Sequence, residues 1–239
     1  MRSSMAGRTT PEGPAPLLGV TIRRAFSVGR IYLVIGIFAA ALWEVVLVLG
    51  SPTSFATTVP ALIPVFGSLG ALGSVLVYTN DRVKGVFEYL IAYGVSPRRI
   101  AANILEASMA LVTLALAVDL TLGVGLYAAT GNAVTAGTLG PLLLYSVPMA
   151  YATAAFGATI GMYWTSLSSP RAGMNSPLGL VPMICIGPPL AALVLAGVIS
   201  SVPREIVLGI TVAAVAGIVV LLLSQMERLM PRERLLSPA

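Results

Sequence analysis

The chain has 239 residues, of which 57% are hydrophobic and only 10% charged, with a net charge of +5; an ordinary soluble domain carries about 25% charged residues. So few polar groups cannot cover a water-soluble surface, and the natural solvent of this fold is lipid. The basic excess does not imply nucleic acid, because the cations flank apolar runs and so encode orientation across a membrane.

Residues 1–14, with their Pro, Gly and Ser, read as a flexible N-terminus. From 15 to 30, Leu18, Ile22, Ala25, Phe26 and Gly29 recur at helical spacing, opposite Thr21, Arg23, Arg24 and Ser27. This pattern fits a basic amphipathic helix at the lipid headgroups, or equally an extension of the first span. Charged residues are absent from 45–80, 120–170, 172–203 and 206–226, and each gap exceeds the ~18 apolar residues that suggest a spanning helix. The expected fold is therefore all-α, a transmembrane domain over 31–225 with six helices. They fall near 31–50, 59–79, 101–129, 139–165 (kinked by Pro148), 178–199 (interrupted at Pro188–Pro189) and 205–225. A polar tail, 226–239, closes the chain. With both ends cytoplasmic, every basic residue except Arg204 faces inward, 13 of 14 in all, as the positive-inside rule requires.

Several chemistries are excluded by composition. There is no histidine, which removes Ser–His proteolysis and HExxH metal sites. The only aspartates, Asp81 and Asp119, lie near opposite ends of their spans, and the one lysine, Lys84, belongs to no GxxxxGK[ST] loop. No catalytic, cofactor-binding or metal-ligating residues are expected in this chain. Cys185 is the single cysteine, so no intrachain disulfide forms. Gly157 and Gly161 suit a helix crossing, and Trp43 and Trp164 suit interfacial belts.

The segment between the second and third spans carries the most information. Asn80 or Asp81 is expected to cap a short helix whose apolar stripe is Val83, Val86, Phe87, Leu90 and Ile91, with Arg82, Lys84 and Glu88 facing away. Gly94 suits a left-handed stop, and Ser96–Pro97 an N-cap followed by N1 of the next helix. Pattern alone allows a lever that takes a push from a cytoplasmic partner, or a plain interfacial anchor.

The stretch Asp81-Arg-x-Lys-Gly-x-x-Glu-Tyr-Leu, followed by Tyr93-Gly-Val-Ser-Pro-Arg-Arg-Ile, resembles the signature loop of ABC-2 type permeases, the membrane subunits of ATP-binding-cassette exporters. The layout of an amphipathic N-terminal helix, six spans and a cytoplasmic loop between spans two and three is similar as well. The sequence departs from the family pattern at Val86, where Thr is usual, and at Gly94, where Pro is frequent. The resemblance implies an exporter permease with a coupling helix over 81–93. Its partner-binding residues would be Asp81, Arg82, Lys84, Gly85, Phe87, Glu88, Leu90 and Ile91. It also implies a separate ATPase subunit holding ATP and Mg, a second permease copy or a related one, and residence in the cell membrane. A secondary carrier and a non-transporting anchor subunit are the alternatives.

Two acids fall within the outer half of spans, Glu44 and Asp119. An unpartnered carboxylate facing lipid is costly. Three arrangements remain open: a polar cavity, hydrogen bonds to another helix or a second copy, or an ion pair with Arg204.

Overall fold

The computed structural model describes residues 15–50, 59, 71–167, 187, 191 and 203–225. Among them there is no strand. Seven α-helices appear: α1 (Ala15–Gly50), α2 (Ala71–Val83), α3 (Val86–Ala92), α4 (Pro97–Ala129), α5 (Ala136–Pro141), α6 (Val147–Leu167) and α7 (Arg204–Ser224), with a π-helical turn at Leu142–Ser146 between α5 and α6. Three stretches are long and apolar enough to cross a membrane, Leu17–Gly50, Pro97–Ala129 and Ala136–Tyr163, and Gly209–Ser224 is a shorter apolar helix. Most of the predicted second and fifth spans, with Cys185, Pro188 and Pro189, lies outside the described residues.

α1 is one continuous helix of 36 residues, with no break at residue 30 where the sequence suggested a separate interfacial element. Nothing in 15–50 stops a helix: no proline follows Pro16, and no left-handed glycine intervenes. At 1.5 Å per residue it is ~54 Å long, well beyond the ~30 Å of a bilayer core. Its buried positions form a single stripe: Ala25, Gly29, Leu33, Gly36, Ala40, Glu44 and Val48. The large apolar side chains point the other way, as Phe38 (68% exposed) and Leu49 (73%) do. Small residues inside and bulky ones outside invert the soluble-protein pattern, and they are what lipid as solvent selects.

The stripe packs along α4 and α2. α1 and α2 approach most closely where a Cβ on Gly29 would overlap the Gly73 Cα; a Cβ on Gly73 would lie 2.5 Å from the Ala25 carbonyl oxygen. One level deeper, the Ser74 and Ser108 hydroxyls bond to each other and tie α2 to α4. α4 reaches α6 through the Thr113 and Tyr151 hydroxyls, 2.6 Å apart. Other hydroxyls bond within their own helices, for example Thr153 to the Met149 carbonyl at 2.8 Å and Thr211 to Val207 at 2.8 Å. Such i−4 bonds hide a donor from hydrocarbon.

The pairing Arg24–Asp81 and Gly29–Gly73 makes α1 and α2 antiparallel. α1 and α4 run the same way, because Gly29 meets Gly73 near Leu111 while Glu44 meets Gly123. α6 and α7 are also parallel: Met149 packs with Val212, and farther along both Met162 and Leu223 join the cluster that holds Phe87 and Ile100. α3 and the last turns of α6 and α7 thus share one end of the bundle.

The predicted kink at Pro148 takes a specific form. Proline has no N–H to give the carbonyl four residues back. The turn just before it, Leu142–Ser146, opens to π geometry and absorbs the missing bond. Gly157 and Gly161 are both buried, so this pair serves packing inside the chain.

Candidate functional site

Two places gather polar side chains that the packing alone does not require. The first is the connector at the α3 end. α2 continues through Asp81 to Val83, so neither Asn80 nor Asp81 caps the next helix as the sequence suggested. Gly85, at φ 70°, makes the turn into α3 with no side-chain cap, and this φ is one that only glycine adopts without strain. The Glu88 carboxyl leans back over Gly85, where a Cβ would lie 3.7 Å from its Cδ, and its charge meets the helix N-terminus. Gly94 ends the element at φ 85°, and the Ser96 Oγ accepts a hydrogen bond from the Arg99 N–H at 3.2 Å with Pro97 at N1, as expected.

Asp81 is turned inward. It is 6% exposed and forms a bidentate ion pair with Arg24, in which Nη1 donates to Oδ2 at 2.9 Å and Nη2 to Oδ1. The pair ties the start of α1 to the end of α2. Sequence reading missed this pair, because the two residues are 57 positions apart and on helices assigned to different roles. The only hint was a lone aspartate among arginines. Phe87 is also internal, 2% exposed, with its ring tilted against Tyr78 at 4.9 Å. Leu90 and Ile91 are partly buried in the same cluster, and Gly85 is half-buried. The predicted partner-binding set therefore divides. Asp81, Phe87, Leu90 and Ile91 hold α3 to the bundle, while Lys84 and Glu88 stay exposed and Arg82 is half-buried. Two residues not singled out, Tyr89 (70% exposed) and Tyr93 (87%), stand out from the same short element. Aromatic rings bared beside charges are the composition of an interface centre.

The second place is at the opposite end of the α1–α4 contact. Glu44 is 3% exposed and Asp119 is fully buried, and no carboxyl oxygen of either has a hydrogen-bond partner. Asp119 and Gly123 are four apart and so share a face of α4. A Cβ on Gly123 would stand 2.8 Å from the Glu44 Oε1, so the glycine is what lets this carboxyl lie against the helix. A charged carboxylate at bilayer depth costs about 2.5–3.5 kcal/mol. Burial inside the chain leaves no place for a second copy at these groups, and neither forms the expected hydrogen bond to a neighbouring described helix. The Arg204 side chain lies outside those described. Asn103, 3% exposed and also without a partner, sits four turns below Asp119 toward the connector.

Among the described residues no three His, Cys, Asp or Glu side chains gather as a metal site. In comparison with known proteins, the chain matches no family model, no curated protein and no solved structure.

Proposed function

We propose that this chain is the permease subunit of an ATP-driven exporter of the ABC-2 type, worked by a separate ATPase subunit that docks on α3. The observation that carries the proposal is the connector. A seven-residue helix is pinned by Phe87, followed at once by the rigid α4, and it presents Tyr89, Tyr93, Lys84 and Glu88 outward. A push on that face passes into two spanning helices with no flexible loop between. The signature-like residues Gly85, Glu88, Ser96, Pro97 and Arg98 fall in this element and its exit turn.

The six-span layout has separate support. α6 and α7 are parallel neighbours, and a further passage between them, where the fifth span was predicted, is part of this reading. With that passage the reading counts six spans, and it puts both chain ends on the α3 side, the side of Arg23, Arg24, Arg98 and Arg99. Two copies, or this chain with a related one, would be needed to enclose a pathway, by analogy with the family.

The test is co-expression with a candidate P-loop ATPase and assay of its hydrolysis in liposomes. Tyr89→Ala with Tyr93→Ala should abolish stimulation by the permease while the protein stays inserted; unchanged stimulation would refute docking on α3. The buried carboxyl pair favours a second reading, an ion-coupled carrier, which would transport without ATP in the same liposomes.

A further inference from the structure

We propose that Glu44 and Asp119 form a proton-binding site between α1 and α4, loaded while the two helices are packed together and emptied when they part toward the side opposite α3. The inference goes beyond the exporter reading and holds whether ATP or an ion gradient drives the chain.

Burial and the lack of partners carry it. Four carboxyl oxygens are shut inside the helix contact with no hydrogen-bond donor within reach among the described residues. No described side chain neutralises the pair, and the closed contact admits only something small. Gly123 backs directly onto the Glu44 carboxyl, with a Cβ position 2.8 Å from Oε1 and 3.0 Å from Cδ, so an organic cation does not fit. A bare metal cation asks for about six oxygen ligands, and two carboxyl groups supply four. A proton on each carboxyl fits without added volume and removes the cost of a buried charge.

The groups that face the pair are few. α1 offers Arg30 and Tyr32, 14 and 12 residues below Glu44, or ~20 Å along the helix. α2, packed against α1, carries its titratable groups, Tyr78, Asp81 and Arg82, at the connector end, with Asp81 already paired to Arg24. α4 offers Tyr127 two turns above Asp119 and Glu106 more than three turns below it, and α6, on the other side of α4, offers Tyr151 bonded to Thr113. No cation among these stands at the level of the pair. Opening the α1–α4 contact admits water, which stabilises the carboxylates and releases the protons. Proton release is thus tied to the opening itself.

The test is infrared spectroscopy of the purified full-length protein in lipid nanodiscs at neutral pH, reading the C=O stretch of protonated carboxyl groups. Asp81 pairs with Arg24 and Glu88 is exposed at the connector, and Glu106→Gln serves as the control for the other acid of α4. Wild type should show the band; Glu44→Gln and Asp119→Asn should each remove about half of it, and together nearly all. The wild-type spectrum decides even where a variant fails to fold, because absence of the band at neutral pH overturns the proposal. A band that survives both substitutions overturns it too. Replacing choline by sodium at constant ionic strength should leave the band unchanged; its loss on adding sodium would mean a metal-cation site and overturn the assignment to protons.

Discussion

Gly73 shows how much rests on a missing methyl group. Any side chain there meets the backbone of Ala25 and Gly29, and backbone cannot rotate away. Gly73→Val should therefore cost more than the ~1–3 kcal/mol usual for overpacking, read as a fall in melting temperature in detergent. Gly125, whose Cβ position meets nothing, should accept alanine without loss. Phe87 and Tyr89, two positions apart, make an opposite pair: Phe87→Ala should destabilise by ~3–5 kcal/mol, whereas Tyr89→Ala should leave the melting temperature unchanged. The same contrast holds at the ion pair. Arg24→Ala strands a buried Asp81 and should hurt more than Arg24→Ala with Asp81→Asn, because the cost lies in the orphaned charge; a double-mutant cycle on thermal stability measures the difference. Spacing in the sequence marks Phe87 as apolar-face and Gly94 as a stop, and both are where expected. It could not mark Gly73 or Asp81, whose roles depend on which other helix arrives beside them.

At the scale of the element, α1 decides between the two readings of 15–30: it is the extension of the first span, not a separate interfacial helix. The polar residues at 21–27 suggested a boundary, but helix continuity is decided by backbone, and the backbone has no stop. The boundary is a change of surroundings along one rod. Beyond it the solvent, not the secondary structure, sets the pattern, which is why bulky residues such as Phe38 and Leu42 face outward. The π turn is the counterpart, a real irregularity that sequence placed only as a kink. Pro148→Ala restores the donor and should let 142–148 return to α geometry; slower amide exchange at these residues would report it, and unchanged exchange would show that the turn has another cause. The exit of the connector was legible, because Gly94, Ser96 and Pro97 act through local dihedral angles and local hydrogen bonds; its entry was not, since the turn lies at Gly85 and not at Asn80 or Asp81.

For the whole molecule, the α3 end holds Arg23, Arg24, Arg82, Arg98 and Arg99 among the described residues, and the opposite end holds the unpartnered acids Glu44 and Asp119. The inward assignment of that end is checked on a Cys185→Ser background with single cysteines at Tyr93 or Ser27. Both should react with a membrane-impermeant thiol reagent only in inside-out vesicles, and labelling of either from the outside would reverse the topology. The number of spans resists reading from composition for a plain reason: charge-free runs show where chain can enter lipid, but only neighbouring helices show in which direction it passes.

The contact of Gly29 with Gly73 has a mechanical consequence. It is the closest approach of α1 to α2, five residues from Arg24 and fifteen from Glu44, or ~8 Å and ~22 Å along a straight helix. A rigid rod pivoting on that contact has unequal arms. Were α1 to tilt on that contact, each ångström of sideways shift at the Arg24 end would become nearly 3 Å at Glu44, in the opposite direction.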